Sequence, residues 1–264
     1  MHRHRLAPVL ATVVLALAAC GDEDKTAAAD TTTTADSVDD LDGTVTVLAA
    51  ASLTDAFEAI AKAFEAEHGG VDIEPSFDAS SKLATAIIEG APADLFASAD
   101  EANLTKVLDA GLVAGESSIF ATNVLKIVVP AGNPMGIDSL DDLVGADVKL
   151  SLCGDEVPCG TYAAQAFEKA GLEVPAAGDQ ENVKGVLTQV QLGEADAGIV
   201  YVTDVLAAED VDGIDLATDQ QVQAAYPAAV LADASNPDAA VAFLAFLRAE
   251  EAQSILEDFG FGLP

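Results

Sequence analysis

VTVLAAASLTDAF, residues 45–57, opens as a β-branched apolar run and passes through small residues into a helix. Residues 44–50 read as a short buried strand. Residues 54–68 read as a helix, with Phe57, Ile60 and Phe64 at helical spacing and Leu53 just ahead. Ser52 stands at the mouth of that helix. IEPSFDASSKLATAII, residues 73–88, repeats the pattern: a strand over 71–77, Ser80 at the mouth, and a helix over 80–89 that Gly90 stops. Strands alternating with helices of this length imply an α/β fold, with parallel pairing and helices on both faces.

The two turns share a chemistry. The first turn of a helix leaves backbone N–H groups without intrahelical partners, and the helix dipole favours negative charge there. Each mouth adds a hydroxyl, and Lys82 is the one cation within either turn. The pair reads as an oxyanion site made of neutral donors. Taken singly, Ser52 and Ser80 are more often helix caps.

Working outward, 95–97 is a short strand and Asp100 can cap the helix carrying Leu104, Val107 and Leu108. A second unit follows, with strands over 124–129 and 149–152, a short helix over 140–144, and helices over 160–170 and 182–192. An apolar strand ends at 199–201, and further strands cover 214–217 and 228–231. Pro237 suits a first helical turn, and helices over 241–247 and 251–259 close the chain. Two such units imply two lobes, each a mainly parallel sheet flanked by helices. Residues 44–122 with 228–264 make the first lobe, and 123–227 the second, with crossings near 121–123 and 225–227. In open α/β sheets, ligands sit beyond the carboxyl ends of strands. There the second lobe offers Pro158-Cys159-Gly160 ahead of the helix carrying Tyr162. It also offers Glu181-Asn182-Val183, with Val183 in the first turn, and the phenol of Tyr201.

Composition limits the partners. With 11 Lys+Arg against 45 Asp+Glu the net charge is −34. Nucleic-acid binding, which needs a basic footprint, is excluded. Such a surface also repels anions at long range, so any anion site must work locally in a cleft. Residues 1–19 read as a targeting segment: Arg3 and Arg5, then an uncharged run too short to span a membrane comfortably. The run ends in LAAC, which resembles a lipobox. Cleavage before Cys20 and its lipidation would anchor the protein to the outer face of the cytoplasmic membrane; the alternative is a secretory signal with an incidental cysteine. Residues 21–43 hold eight acids and one lysine, and read with Cys20 as a disordered tether. Cys153 and Cys159 lie six apart, which in an exported protein reads as a short-loop disulfide, with free thiols the alternative.

AAASLTDAF, SSKLATAIIEGAPADLFASAD, VPCGTYA, ENVKGVL and GIVYVTD together resemble the molybdate-binding proteins of bacterial ABC uptake systems. The resemblance runs over nearly all of 44–264, including the closing DFGFGLP. It implies a type II periplasmic binding-protein fold that holds molybdate or tungstate between its lobes. It also implies a membrane permease as partner, a monomer, and no cofactor. Carried over by position, the ligand-holding groups are the hydroxyls of Ser52 and Ser80, the backbone amides of Cys159 and Val183, and the hydroxyl of Tyr201. Cys159 stands where relatives have alanine, and acts through its N–H. Asp78 stands where relatives often have a small residue; facing inward it would oppose a dianion, so a solvent-facing side chain is expected. Lys82 and Lys184 are expected on exposed helix faces.

Other classes fit less well. Neither serine sits in a GxSxG elbow, His68 is the one histidine after the targeting segment, and no phosphate loop or dinucleotide fingerprint appears, so no enzyme is expected. A ferric site needs more tyrosines or carboxylates in a cluster than Tyr162, Tyr201 and Tyr226 suggest. Phosphate is protonated near neutral pH and needs an acceptor, for which Asp78 is the one candidate. Sulfate and a structural lipoprotein remain as alternatives.

Overall fold

The computed structural model describes residues 41–145, 147–174 and 178–264. The expected targeting segment, the expected lipidation site Cys20 and the acidic stretch up to residue 40 lie outside the described residues. The first strand, β1 (Asp42–Ala50), starts earlier than expected, so Asp42 and Gly43 belong to the sheet and not to the tether. Pairing explains this: β1 lies parallel to β2 (Gly70–Asp78) from Asp42 opposite Gly70 onward, and Asn236 Nδ2 donates to Asp42 O at 2.8 Å.

A single 3-10 turn (Ala51–Leu53) leads from β1 into α1 (Thr54–Glu67), and β2 leads into α2 (Ser80–Ile88). β3 (Leu95–Ala97) and α3 (Glu101–Asp109) follow, with Asp100 capping α3 by accepting from Asn103 N at 2.8 Å. Next come β4 (Val113–Pro130), α4 (Leu140–Leu143), β5 (Leu150–Ser151), α5 (Pro158–Ala170) and α6 (Val183–Gln191). β6 (Ala197–Tyr201), α7 (Val202–Leu206), β7 (Val211–Asp215) and β8 (Gln223–Leu231) precede the closing helices α8 (Pro237–Phe246) and α9 (Glu250–Asp258).

The strands run in the order β2-β1-β3-β8-β4-β6-β5, with β7 also on β4. β1 is parallel to β2 and β3, and β5 is parallel to β6. β4 and β8 run antiparallel to every strand they pair with, so the sheet is mixed. Both are much longer than their apolar cores at 124–129 and 228–231 suggest. The first part of β4 pairs with β8, and the part from Leu125 on pairs with β6 and β7. The expected crossing points therefore fall inside two continuous, paired strands. β7 also lies earlier than 214–217, because Val211 pairs with Pro130.

Packing fixes the helix mouths. α1 buries Ala56, Phe57, Ile60, Ala61 and Phe64 along one face. Phe64 meets Phe243 edge-on at 5.2 Å and Phe246 at 5.3 Å, so truncating it to alanine costs about 3–5 kcal/mol. Asp94, almost fully buried, accepts from Thr46 N at 2.7 Å, Ser235 N at 2.6 Å and Asn236 N at 2.9 Å, fastening the start of α8 to β1.

Candidate functional site

Four helix mouths and one strand end converge. Ser52 sits in the 3-10 turn before α1 and is 6% exposed; Ser80 is the first residue of α2 and 1% exposed. Cys159 and Val183 lie in the first turns of α5 and α6, both nearly buried. Tyr201 ends β6 and is 1% exposed. All five line one cavity, together with small apolar neighbours such as Ala51, Ala79 and Ala99. The space is small, about 10 Å³ open to the centre of a water molecule, room for one small species. A far larger surface groove near Glu101 and Arg248 carries none of these residues.

Local geometry explains each position. At α5, Pro158 occupies the first turn and has no N–H to orphan. Gly160 lies against the carbonyls of Gly154 and Cys153; an added Cβ would stand 2.2 Å from Gly154 O. Only glycine permits that approach. Cys153 and Cys159 are joined in a disulfide with Cα atoms 5.8 Å apart, which ties the α5 mouth to the loop after β5. At α6 the Asn182 side chain accepts from Gly185 N at 3.1 Å, leaving the first-turn amide of Val183 at the cavity wall.

The hydroxyls differ in their partners. Ser80 Oγ accepts from Ala99 N at 2.9 Å, which leaves its own proton free to donate. Ser52 Oγ lies 2.9 Å from the hydroxyl of Tyr226. The Tyr201 hydroxyl is buried with no hydrogen-bond partner among the described residues, at a cost of about 1–3 kcal/mol if nothing binds it. Burial, followed by neighbouring Tyr226 and Tyr162, pushes the Tyr201 phenol well above its usual range, so it is a neutral donor. Among the described residues, the cavity wall holds no Lys, Arg, Asp or Glu.

Charged groups stand around the rim. Asp78 does not line the cavity; its Oδ1 accepts from Ala79 N at 2.7 Å and from Asn182 Nδ2 at 3.2 Å. Lys82 and Lys184 are not simply exposed lysines. Lys82 reaches Glu181 at 2.6 Å, and Lys184 reaches Asp55 at 3.1 Å. The first links α2 and the second α1 to the α6 mouth, although exposed pairs of this kind add little stability. Beneath the site, Asp204 is fully buried; its Oδ2 accepts from Tyr201 N at 3.1 Å and its Oδ1 lies 3.5 Å from Lys184 Nζ. Burial pushes its carboxyl up to about 6, with Lys184 pulling the other way.

Sequence reasoning missed Asn123, Thr203, Asp204 and Tyr226, which support the cavity from below. The contacts joining Asn123, Thr203, Tyr226 and Ser52 span 80 to 174 positions, and no local pattern marks them, whereas Asp204 caps α7 locally by accepting from Tyr201 N three residues before it. Among the described residues there is no cluster of three or more His, Cys, Asp or Glu side chains able to hold a metal ion.

A family model described as bacterial extracellular solute-binding protein matches residues 45–262. The chain belongs to the bacterial extracellular solute-binding proteins. Among its relatives is the molybdate-binding protein ModA of Mycobacterium tuberculosis, 39% identical over 221 residues, covering 83% of this chain and 85% of that protein. The fold of this solute-binding protein is shared by two solved structures. The periplasmic molybdate-binding protein of Azotobacter vinelandii has a TM-score of 0.74 at 20% identity, covering 83% of this chain and 99% of that one. The sulfate-binding protein SubI of Mycobacterium tuberculosis has a TM-score of 0.74 at 22% identity, covering 83% and 86%. The architecture is thus that of a two-lobed periplasmic binding protein.

Proposed function

We propose that this protein captures molybdate, or tungstate, outside the cytoplasmic membrane and delivers it to the permease of an ABC importer. The observation that carries the reading is the buried hydroxyl of Tyr201, without a partner among the described residues, on a residue that lines a cavity walled by four helix mouths. The relatives named for molybdate support the choice of anion.

The ligand set is Ser52 and Ser80 from one lobe, with the amides of Cys159 and Val183 and the hydroxyl of Tyr201 from the other. The lobes comprise 44–122 with 228–264, and 123–227. The anion bridges donors on both lobes and so favours the closed arrangement, by as much as it binds that state better. Donors alone select a fully ionised tetrahedral anion, since a protonated one would face a donor with its own O–H, at about 1–3 kcal/mol. Lipidation at Cys20 after cleavage of residues 1–19 holds the monomer at the membrane's outer face.

A thermal-shift panel of molybdate, tungstate, sulfate, phosphate and Fe(III) on the full chain tests this. Molybdate at a hundred times its dissociation constant adds about 2.7 kcal/mol. A shift with sulfate, phosphate or iron but none with molybdate or tungstate overturns the anion assignment.

A further inference from the structure

We infer that Asn123 and Tyr226 form a hydrogen-bond relay that sets the direction of the Ser52 hydroxyl, making it a donor to the ligand. The inference rests on the oxyanion-binding reading of the cavity and adds two positioning residues beneath it.

Asn123 Oδ1 accepts from Val124 N at 2.9 Å, which fixes the orientation of the amide. Its Nδ2 group therefore faces inward, donating to Thr203 Oγ1 at 3.0 Å and presenting hydrogen to the Tyr226 hydroxyl at 3.5 Å. An amide NH2 has no lone pair to offer, so the Tyr226 proton has no acceptor on that side. Among the described residues, its other hydrogen-bond partner is Ser52 Oγ at 2.9 Å. Tyr226 donates to Ser52, and the Ser52 proton is turned away from Tyr226, into the cavity.

The surroundings hold this order in place. Tyr226 is fully buried, with Phe261, Tyr201 and Phe120 packed around its ring at centroid distances of 5.4, 6.1 and 6.5 Å. Burial raises its phenol far above the usual range, so the proton stays on. Asn123 and Tyr226 lie on adjacent strands, β4 and β8, close to where the sheet passes from one lobe to the other. The relay thus runs from the Val124 amide through Asn123 and Tyr226 to Ser52 at the α1 mouth, while Thr203 in α7 accepts the other Asn123 hydrogen. Ser80 reaches the same state more simply, through the Ala99 amide.

Two coupled substitution cycles test the relay, each read as the molybdate dissociation constant by calorimetry, with the melting temperature of every variant recorded. Tyr226→Phe removes the donor to Ser52 and weakens molybdate about tenfold. Asn123→Asp offers an acceptor in place of the NH2, drawing the Tyr226 proton toward itself and turning a Ser52 lone pair to the anion; the loss exceeds about a hundredfold. In the Tyr226→Phe background that reversal has no route, so adding Asn123→Asp costs at least about tenfold less than it does alone. Multiplying penalties, as expected of a buried charge acting through space, overturn the relay. If Asn123→Asp does not fold, Ser52→Ala decides. Its penalty shrinks severalfold in the Tyr226→Phe background if the relay orders the hydroxyl, and is unchanged if it does not. Failure of the unsubstituted protein to bind molybdate, tungstate or sulfate removes the anion reading, and the relay with it.

Discussion

In the proposed site, the two walls of the cavity offer an anion donors of different kinds. The wall beneath β1 and β2 uses the hydroxyls of Ser52 and Ser80, and each needs a second group to orient it: Ala99 for Ser80, Tyr226 for Ser52. The opposite wall uses first-turn amides of α5 and α6, which the helix itself orients, and one phenol. The hydroxyl wall is sensitive to side chains. The amide wall is sensitive to backbone shape, which is why it accepts cysteine at 159 yet demands glycine at 160.

The sharpest way to break this contrast is to strip the hydroxyl wall. Ser52→Ala with Ser80→Ala is expected to weaken molybdate by about a hundredfold or more, since hydrogen bonds to charged groups contribute roughly 1.5–3 kcal/mol each. Calorimetry checks the affinity, and an unchanged value removes both serines from the site. On the amide wall, Cys159→Ala keeps the N–H and is expected to leave affinity within about threefold, although losing the disulfide lowers stability by about 2 kcal/mol. Denaturant titration with and without reductant measures the second effect. Gly160→Ala, with its Cβ driven onto Gly154 O, should lose both stability and binding.

Tyr201→Phe separates the walls differently. It is expected to weaken the anion about tenfold while leaving the empty protein as stable or slightly more so, because an unpartnered buried hydroxyl is removed. A lower melting temperature without ligand would contradict the free-donor assignment.

Two buried carboxyl groups respond to pH in opposite senses. Asp204 has a folded value of about 6, above the ordinary 3.8, so its protonated form stabilises the fold below 3.8 and that contribution is lost as pH rises through about 6. Asp94 moves the other way. Burial alone would raise it, but bonds from Asn236, Thr46 and Ser235 hold it below the usual range. Its contribution is present above the ordinary value and lost as pH falls through the lowered one. Melting temperatures of Asp204→Asn against the unsubstituted protein are expected to show a relative gain that grows between pH 4 and about 7; a gain independent of pH would contradict this.

Ser52 and Ser80 were legible as helix mouths because the switch from strand to helix is a local pattern, and Val183 because it opens an amphipathic helix behind the capping residue Asn182. Tyr201 was legible as the end of a buried apolar strand. β4 and β8 were only half legible. Ala-Gly-Glu-Ser-Ser at 114–118 carries no β-branched run, and the strand is held there by β8 through a register with two irregularities. The five residues of α7 are too few for a helical period to show. Tyr226 and Asn123 were invisible for a different reason: their meaning lies in partners 174 and 80 positions away. Lys82 and Lys184 looked like surface charge until the α6 mouth was brought beside α1 and α2.

The central claim is that uncharged donors from both walls close on one fully ionised oxyanion. Calorimetric titration of molybdate into the full chain at neutral pH, with phosphate in parallel, tests it directly. Saturable binding of one molybdate per chain with no heat from phosphate is the predicted result. Absence of binding by molybdate, or phosphate bound as tightly, would contradict it.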